Sequence, residues 1–491
     1  MEGSRMNYEQ IMKVALERGF YFPSCEVYSD AQAGFWEYGP TGLSLKNRFI
    51  ELWRREMVRR DTMLEIDGSQ IMSKSVFEAS GHLASFADPV AQCTKCKSIY
   101  RIDKMIAEVA NIIIPENAPL EEFDQIIKEK NILCTKCDGP LGKARKFNMM
   151  FEVGIGPEAV PSYLRPETCQ SIFVDFPRVF KTMRGKLPVG MAQIGKSFRN
   201  EISPRQSLIR MREFYQAEIE VFLNPNTVNE IEGFAEIEDT ELNLMVDEKT
   251  IQTMTCKKAV ESGVVPNKLV AYYLGLLVEF YQKSGIDVSK SRFRKLGAKE
   301  KAFYASVAFD FEVETSIGWL ELVACNYRSD YDLTAHAKMS GANFEVMDGE
   351  AKVLPHVFEI SMGIDRSLYT IIEHCIRDEK ENERVVLSIK PYLAPVHLGI
   401  LPLMKKDGLY EQAHLIFNGL RRKYDVFFDV SGSIGKRYRR LDEIGAPLAV
   451  TIDYQTLEDE TVTIRKRDAM SQERIKISEI ASYVEKEIAY P

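Results

Sequence analysis

The chain has 491 residues, well past the size at which a single core stops growing, so two or three domains are expected. Its 45% hydrophobic and 28% charged content is ordinary for a water-soluble protein, and a formal net charge of -8 excludes bulk electrostatic adhesion to nucleic acid, which needs local concentrations of Lys and Arg. No apolar run approaches the roughly 20 residues that cross a bilayer, and MEGSRMNYEQ lacks an apolar signal core, so no membrane association and a cytoplasmic location are expected.

Residues 1–87 read as a helix around Tyr8 to Glu17, a glycine-rich turn over 34–42 (GFWEYGPTG) and a long amphipathic helix from Leu43 to Arg59. Leu45, Phe49, Leu52, Trp53 and Met57 recur there at helical spacing, a stripe that serves a core-facing helix or an interface equally well. Residues 88–145 hold four of the nine cysteines, Cys93, Cys96, Cys134 and Cys137, in two CTKC turns around a mostly helical insert. Two CxxC turns suit tetrahedral zinc with sulfurs about 2.3 Å from the ion, in a structural role because no ligand position is left open; four reduced thiols are the alternative. The other five cysteines (Cys25, Cys169, Cys256, Cys325, Cys375) are scattered and read as thiols.

In residues 146–223, Arg165 and Glu167 of YLRPET precede a helix that starts near Thr168. Next comes GKSFRNEISPRQSLIRMREFYQAEIEVF, which opens with Phe198-Arg199-Asn200-Glu201, turns around Pro204, and returns with Arg210, Arg212, Glu218 and Glu220. Phe214, Ala217, Ile219 and Val221 alternate with charged or polar residues at the strand period, so the segment reads as an antiparallel hairpin with Arg and Glu arrayed on one face. A guanidinium at a strand end can hold a phosphate by two parallel hydrogen bonds, and a carboxylate two residues on can meet an amine or a metal. Taken alone, the same pattern also fits an exposed hairpin laced with surface ion pairs.

Residues 224–300 read as a mainly helical insertion (LVAYYLGLLVEFYQKSG). In 301–386 strands return over FYASVAFDFEVET and from Gly318 onward (GWLELVACNYRSDYDL), followed by the strand PHVFEIS, a glycine turn and a helix that carries Arg366 in its first turn. Residues 387–491 alternate strands and helices as an independent α/β unit. Its basic clusters, 421–423, 436–440 and 465–467, read as solvated faces or binding patches, with Tyr438 a candidate nucleic-acid contact. The six histidines form no dyad or metal box, and His82 of the ASGH segment reads as a structural residue, with a position facing the site as the alternative.

The FRNE hairpin resembles the second signature motif of class II aminoacyl-tRNA synthetases, Gly363-Ile364-Asp365-Arg366 resembles the end of the third, and the helix over 43–59 resembles the first, which also builds a dimer interface. Within that class, RPETCQSIF, RNEISPRQSLIRMREFYQAEIEVF, ASGHLASFADP, GWLELVACNYRSDYDLTAH and PHVFEISMGIDRSLY are similar to glycyl-tRNA synthetases of the homodimeric archaeal and eukaryotic type. The resemblance covers most of the chain. It implies an α+β fold, with a class II antiparallel sheet flanked by helices and carrying insertions, plus a C-terminal α/β anticodon-binding domain. The implied divisions are 1–87 with the first motif, 88–145 with the cysteine pairs, 146–223 with the second motif, the 224–300 insertion, 301–386 with the third motif, and 387–491.

The implied activity is ATP-dependent attachment of glycine to tRNA(Gly) through glycyl-adenylate, with Mg2+ accompanying ATP and structural Zn2+ on the four cysteines. On individual positions, Arg199, Asn200, Glu201, Arg210, Met211, Phe214, Glu321, the backbone of Leu322 and Arg366 are implied for ATP. Glu167, Glu218, Glu359, Ile360 and Ser361 are implied for glycine, and Arg101 of YRID for reaching the amino acid. Cys169 stands where alanine is frequent and Asp365 where a small residue is; neither removes a needed group. Two rivals remain: another class II synthetase, against which the carboxylates Glu167 and Glu218 argue, and a catalytically inactive synthetase-like RNA-binding protein, against which Arg199, Glu201 and Arg366 argue.

Overall fold

The computed structural model describes all residues except 1–4, 115–117, 205, 248–249, 298–299 and 303. Phe303, expected to open a strand, lies outside the described residues. The first helix, α1 (Tyr8–Glu17), is closed at its start by a capping box between Asn7 and Gln10. The second, α2 (Pro40–Trp53), begins three residues earlier than expected because Pro40 suits the first helical position, and its final turn, Arg54–Arg59, widens to π geometry. Gly42 lets this helix touch the chain before it: a Cβ there would sit 1.8 Å from the carbonyl oxygen of Phe20.

Nine strands make the central sheet. In chain order they are β1 (Leu64–Ile66), β2 (Val189–Phe198), β3 (Glu213–Leu223), β4 (Glu241–Met245), β5 (Ile251–Thr255), β6 (Ser291–Lys295), β7 (Val307–Thr315), β8 (Gly318–Ser329) and β9 (His356–Gly363). Across the sheet they run β5-β4-β6-β7-β8-β9-β3-β2-β1. Only β1 with β2 and β4 with β6 pair in parallel. The expected hairpin is β2 and β3, in register from Val189 opposite Phe222 to Phe198 opposite Glu213.

Strand alternation divides the sheet into two chemically different faces. On one, Ala217, Ile219, Val221, Ile360, Met362, Val323, Phe309 and Phe311 join the main core with residues of α2, of α3 (Lys268–Ser284) and of α4 (Ile364–Cys375). Tyr281 of α3 stacks on Phe311 with ring centroids 4.8 Å apart. The other face carries Gln193, Glu218, Glu220, Asn326, Glu359 and Ser361, all paired across neighbouring strands.

The stretch 224–300 differs from its mainly helical expectation. It supplies α3, and it also supplies β4, β5 and β6, which extend the central sheet. ELNLM, IQTMT and SRFRK are only five residues each and mix apolar with polar or charged positions, so the strongly apolar 17-residue helix dominates the pattern. A glycine turn was also expected before α4; instead β9 runs directly into it, with Gly363 as the cap.

The C-terminal unit has its own five-stranded mixed sheet and its own core around Leu398, Ile400, Val450 and Ile464. Its basic clusters divide: Arg421, Arg422, Lys423, Lys436 and Arg439 stay exposed, while the rest turn inward. Arg437 donates to the carbonyl of Pro402 at 2.5 Å, Arg440 pairs with Asp429, and the buried Arg465 pairs with Asp442. Tyr438, expected as a nucleic-acid contact, is half-buried; its hydroxyl bonds Thr451 at 2.5 Å and its ring faces the Arg465 guanidinium. Among the described residues, no helix is long and apolar enough to cross a membrane.

Candidate active site

A cavity of about 270 Å³ opens over the polar side of the sheet between β3, β8 and β9. Its lining includes Arg199, Glu201, Arg210, Met211 and Phe214 from the hairpin, Glu321 and Leu322 from β8, Glu359 and Ser361 from β9, Arg366 from α4, and Glu167. Residues far apart in the chain are thus gathered where strand ends and one helix N-terminus meet.

The loop between β2 and β3 is tied at its base by Arg199 N–H donating to the Arg212 carbonyl at 2.8 Å. Arg199 donates from Nε to the carbonyl of Pro166 at 3.0 Å, and its guanidinium lies between the rings of Phe86 and Phe214 at 5.4 and 5.3 Å. Across the loop Arg210 grips Glu201, with Nε and Nη2 at 2.9 and 2.7 Å from one oxygen. Arg366 donates to the carbonyls of Ile209 and Glu321 at 3.1 Å each and has the Glu321 carboxylate 3.5 Å away. One end of the cavity therefore holds three guanidinium groups resting on internal oxygens.

The other end is anionic and buried. Glu218 is 1% exposed and accepts from Ser361 at 2.6 Å, Thr168 at 2.5 Å and Gln216 at 3.2 Å. Thr168 caps the helix Cys169–Thr182, yet its hydroxyl serves Glu218 rather than the helix. Glu359 accepts from Arg328 at 2.6 Å and Asn326 at 3.2 Å. Glu167 accepts from Cys169 at 3.0 Å and Gln170 at 3.2 Å, with His82 Nε2 at 3.1 Å.

These carboxyls are tuned apart. Burial pushes Glu167 upward, but His82, Arg328 and the Cys169 thiol outweigh it and hold its pKa well below the carboxylate range. Burial and the neighbouring Glu167 raise Glu218 against the pull of Ser361 and Thr168. Burial raises Glu359 to about 7, with Arg328 opposing. Strongly displaced carboxyls crowded into one cleft are a signature of a functional site.

The expected residues divide into three groups. Arg199, Glu201, Arg210, Met211, Phe214, Glu321, Leu322, Arg366, Glu167, Glu359 and Ser361 converge on the cavity, with Glu218 directly behind Ser361. Ile360 faces the hydrophobic core, so only its backbone stands between Glu359 and Ser361. Asn200 hydrogen-bonds through its backbone to Met149, and Arg101 pairs with Asp88 and Asp103 at 3.1 and 2.5 Å outside the cavity lining.

Sequence reasoning gave no role to Arg328, Gln216, Thr168, Asn326 and Tyr304, and preferred a structural His82 over the site-facing alternative that its contact with Glu167 supports. Arg328 is 1% exposed, bridges Asp332 and Glu359, and stacks on Tyr304 at 3.7 Å. A lone Arg inside the apolar strand GWLELVACNYRS was the available signal, since such a charge needs a buried partner.

Away from the cavity, the four CxxC cysteines meet. Their sulfurs all lie within 4.8 Å of one another, with Cys93 to Cys137 at 3.6 Å and Cys96 to Cys134 at 3.5 Å. A tetrahedron of sulfurs about 2.3 Å from zinc has edges of about 3.8 Å, so the donor set fits that ion. Tyr100 Oη lies 3.0 Å from the Cys134 sulfur.

Residues 157–375 match the family model described as the tRNA synthetase class II core domain (G, H, P, S and T), and residues 397–487 match the anticodon binding domain. The chain is 40% identical to the glycine--tRNA ligase of Methanothrix thermoacetophila over 96% of this chain and 95% of that one. It is 38% identical to the glycine--tRNA ligase of Pyrococcus furiosus over 96% and 97% of the two chains, and 36% identical to that of Methanocaldococcus jannaschii over 98% and 99%. With near-complete coverage of these relatives and both signature domains in place, the chain belongs to the glycine--tRNA ligase family of class II aminoacyl-tRNA synthetases.

Proposed function

We propose that this cavity activates glycine with ATP and then passes it to tRNA(Gly). The observation that carries the reading is the division of one cleft into a guanidinium end and a buried carboxylate end, with the FRNE hairpin reaching both. Arg199, Arg210 and Arg366 hold the phosphates of magnesium-bound ATP, Glu201 and Glu321 face the displaced cations or the magnesium, and Phe214 stacks on the base. Glu167, Glu218 and Glu359 surround the glycine ammonium, with Ser361 closing the space beyond Cα.

In the first step the glycine carboxylate attacks the α-phosphate and pyrophosphate leaves. In the second, a hydroxyl of the terminal tRNA adenosine attacks the acyl carbon, AMP leaves, and a proton goes to solvent. Both steps need alignment and charge neutralisation more than a proton-transfer residue. Guanidiniums fixed where charge develops stabilise the transition state without reorganising, and losing one such donor typically costs about 10²–10³ in kcat.

Glycine offers no side chain to recognise, so exclusion is steric. A methyl on Cα would have to push between Ser361 and carboxyls already packed and hydrogen-bonded, leaving them badly paired, which costs more than the roughly 1–3 kcal/mol an empty methyl pocket could return. The C-terminal unit, which matches an anticodon binding domain, reads the anticodon of tRNA(Gly).

Structural zinc on Cys93, Cys96, Cys134 and Cys137, pairing of two copies near the α2 segment, and a cytoplasmic location belong to the same reading. ATP–pyrophosphate exchange tested against each amino acid checks the central claim. Exchange with glycine is expected; exchange driven by alanine or serine instead would refute it. Glu218→Gln should raise the KM for glycine far more than that for ATP, and equal losses would reassign that carboxylate to the nucleotide.

A further inference from the structure

Glu220 shares the polar face of β3 but has no role in the site described above. Its side chain is wholly buried, and among the described residues neither carboxylate oxygen has a hydrogen-bond partner. Glu359 stands directly opposite on β9. Such a placement leaves Cβ atoms about 4.5–5.5 Å apart and is destabilising when both groups carry the same charge. On the β2 side its partner is Met191, which offers no polar atom beyond a thioether.

The charged and titratable surroundings of Glu220 come from several elements. Glu218 lies two residues back on the same strand, and Cys169, at the start of its helix, lies close enough that its sulfur and oxygens of Glu218 and Glu220 fall within 4.8 Å of one another. Glu167 borders Cys169, and His82 borders Glu167. Arg328 and Asp332 approach from the end of β8 and the helix after it, beside Tyr304 and His336, and Arg199 exerts its field on Glu218. The nearest permanent cation, Arg328, gives two hydrogen bonds to Asp332 and one to Glu359. Burial, and then the facing Glu359, outweigh the pull of Arg328 and drive the pKa of Glu220 well above the carboxylate range.

We propose that Glu220 is the proton-exchanging residue behind the amino-acid pocket: it stands neutral while the pocket is empty, and it ionises when a substrate ammonium settles against Glu218 and Glu359. One carboxyl O–H breaks and its proton passes to solvent; no bond forms to the substrate, and one positive charge enters as one leaves. The unloaded pocket thereby avoids a further negative charge beside Glu167, Glu218 and Glu359, while the loaded pocket recruits it. This rests on the reading that Glu167, Glu218 and Glu359 hold the glycine ammonium. Glu220 is accordingly a positioning residue for charge, and it touches no reacting atom.

Titration calorimetry of the full-length protein with glycine, in two buffers of different ionisation enthalpy at pH 7.5, reads the exchange directly. Wild type should release close to one proton per glycine more than Glu220→Gln, which should still bind glycine. In ATP–pyrophosphate exchange between pH 6 and 8, the wild-type KM for glycine should fall with rising pH more steeply than that of Glu220→Gln, by up to tenfold per pH unit for the one additional coupled proton, leaving in the variant only the slope that Glu359, raised to about 7, supplies. The KM for ATP should follow one pH trend in both proteins. Heats independent of buffer in the wild type, or undiminished release in Glu220→Gln, would overturn the proposal. If the variant does not fold, infrared difference spectra of the wild type still decide: glycine should abolish a protonated-carboxyl band, and an unchanged band overturns the proposal. Intact glycine binding in Glu218→Gln would instead sink the underlying reading of the pocket, whatever Glu220 does.

Discussion

Arg328 decides how much negative charge the back of the pocket can carry. It is buried, its fork is filled by Asp332, and its remaining arm reaches Glu359. Removing one member of a buried charge set strands the others, which typically costs about 3–5 kcal/mol. Arg328→Met should therefore lower unfolding stability by about that amount and weaken glycine use; urea denaturation at neutral pH measures it. Glu220 predicts the opposite direction. Because its folded-state pKa is raised, its contribution is fully present below its unfolded pKa near 4.5 and lost as pH rises towards the folded value. Above about pH 4.5, wild type should lose stability relative to Glu220→Gln by about 1.4 kcal/mol per pH unit, visible as a widening gap between their denaturation midpoints. At this scale Arg199, Glu201 and Arg366 were legible because they sit in short contiguous signatures. Arg328 and His82 were not, since their partners Glu359 and Glu167 lie 31 and 85 positions away in the chain.

At the scale of elements, the hairpin of β2 and β3 was readable from the alternation of Ala217, Ile219 and Val221 with Gln216, Glu218 and Glu220 in its central part. The strands β4, β5 and β6 were not, being short and placed at the far side of the sheet, where their pattern is mixed. The start of α2 shows what a glycine does there: its Cα hydrogens face the Phe20 carbonyl at a distance no side chain tolerates. Gly42→Ala must push backbone against backbone, and overpacking of this kind costs about 1–3 kcal/mol or more. A fall of that size in the unfolding free energy is expected, and full retention of stability would show that α2 can slide away from Phe20.

At the scale of the molecule, two cores are joined by buried charges rather than by apolar contact alone. Arg384 reaches Asp442, and Arg467, 2% exposed, donates to the carbonyls of Gly445 and Ile389. The division into a catalytic part and a C-terminal α/β unit was visible in the sequence from the change in pattern near residue 388, whereas the inward turn of its arginines was not, because a basic cluster looks the same whether solvated or paired. The cysteine module makes a separable prediction. Metal analysis should find about one zinc per chain in the wild type and a loss of it in Cys134→Ser, with local loosening of residues 88–145 seen as faster amide exchange and the main core unaffected.

Within the cleft the cations have partners of their own: Arg210 leans on Glu201, and Arg366 on Glu321. Entry of an anion is therefore a change of partners, and a lone phosphate would free two carboxylates while offering them nothing in return. A polyphosphate that arrives with its own divalent ion supplies both halves of the trade, so inorganic phosphate should compete poorly while the metal-chelated nucleotide fits. Selection against stray anions is in this way written into resting contacts that a catalogue of substrate-facing groups would overlook.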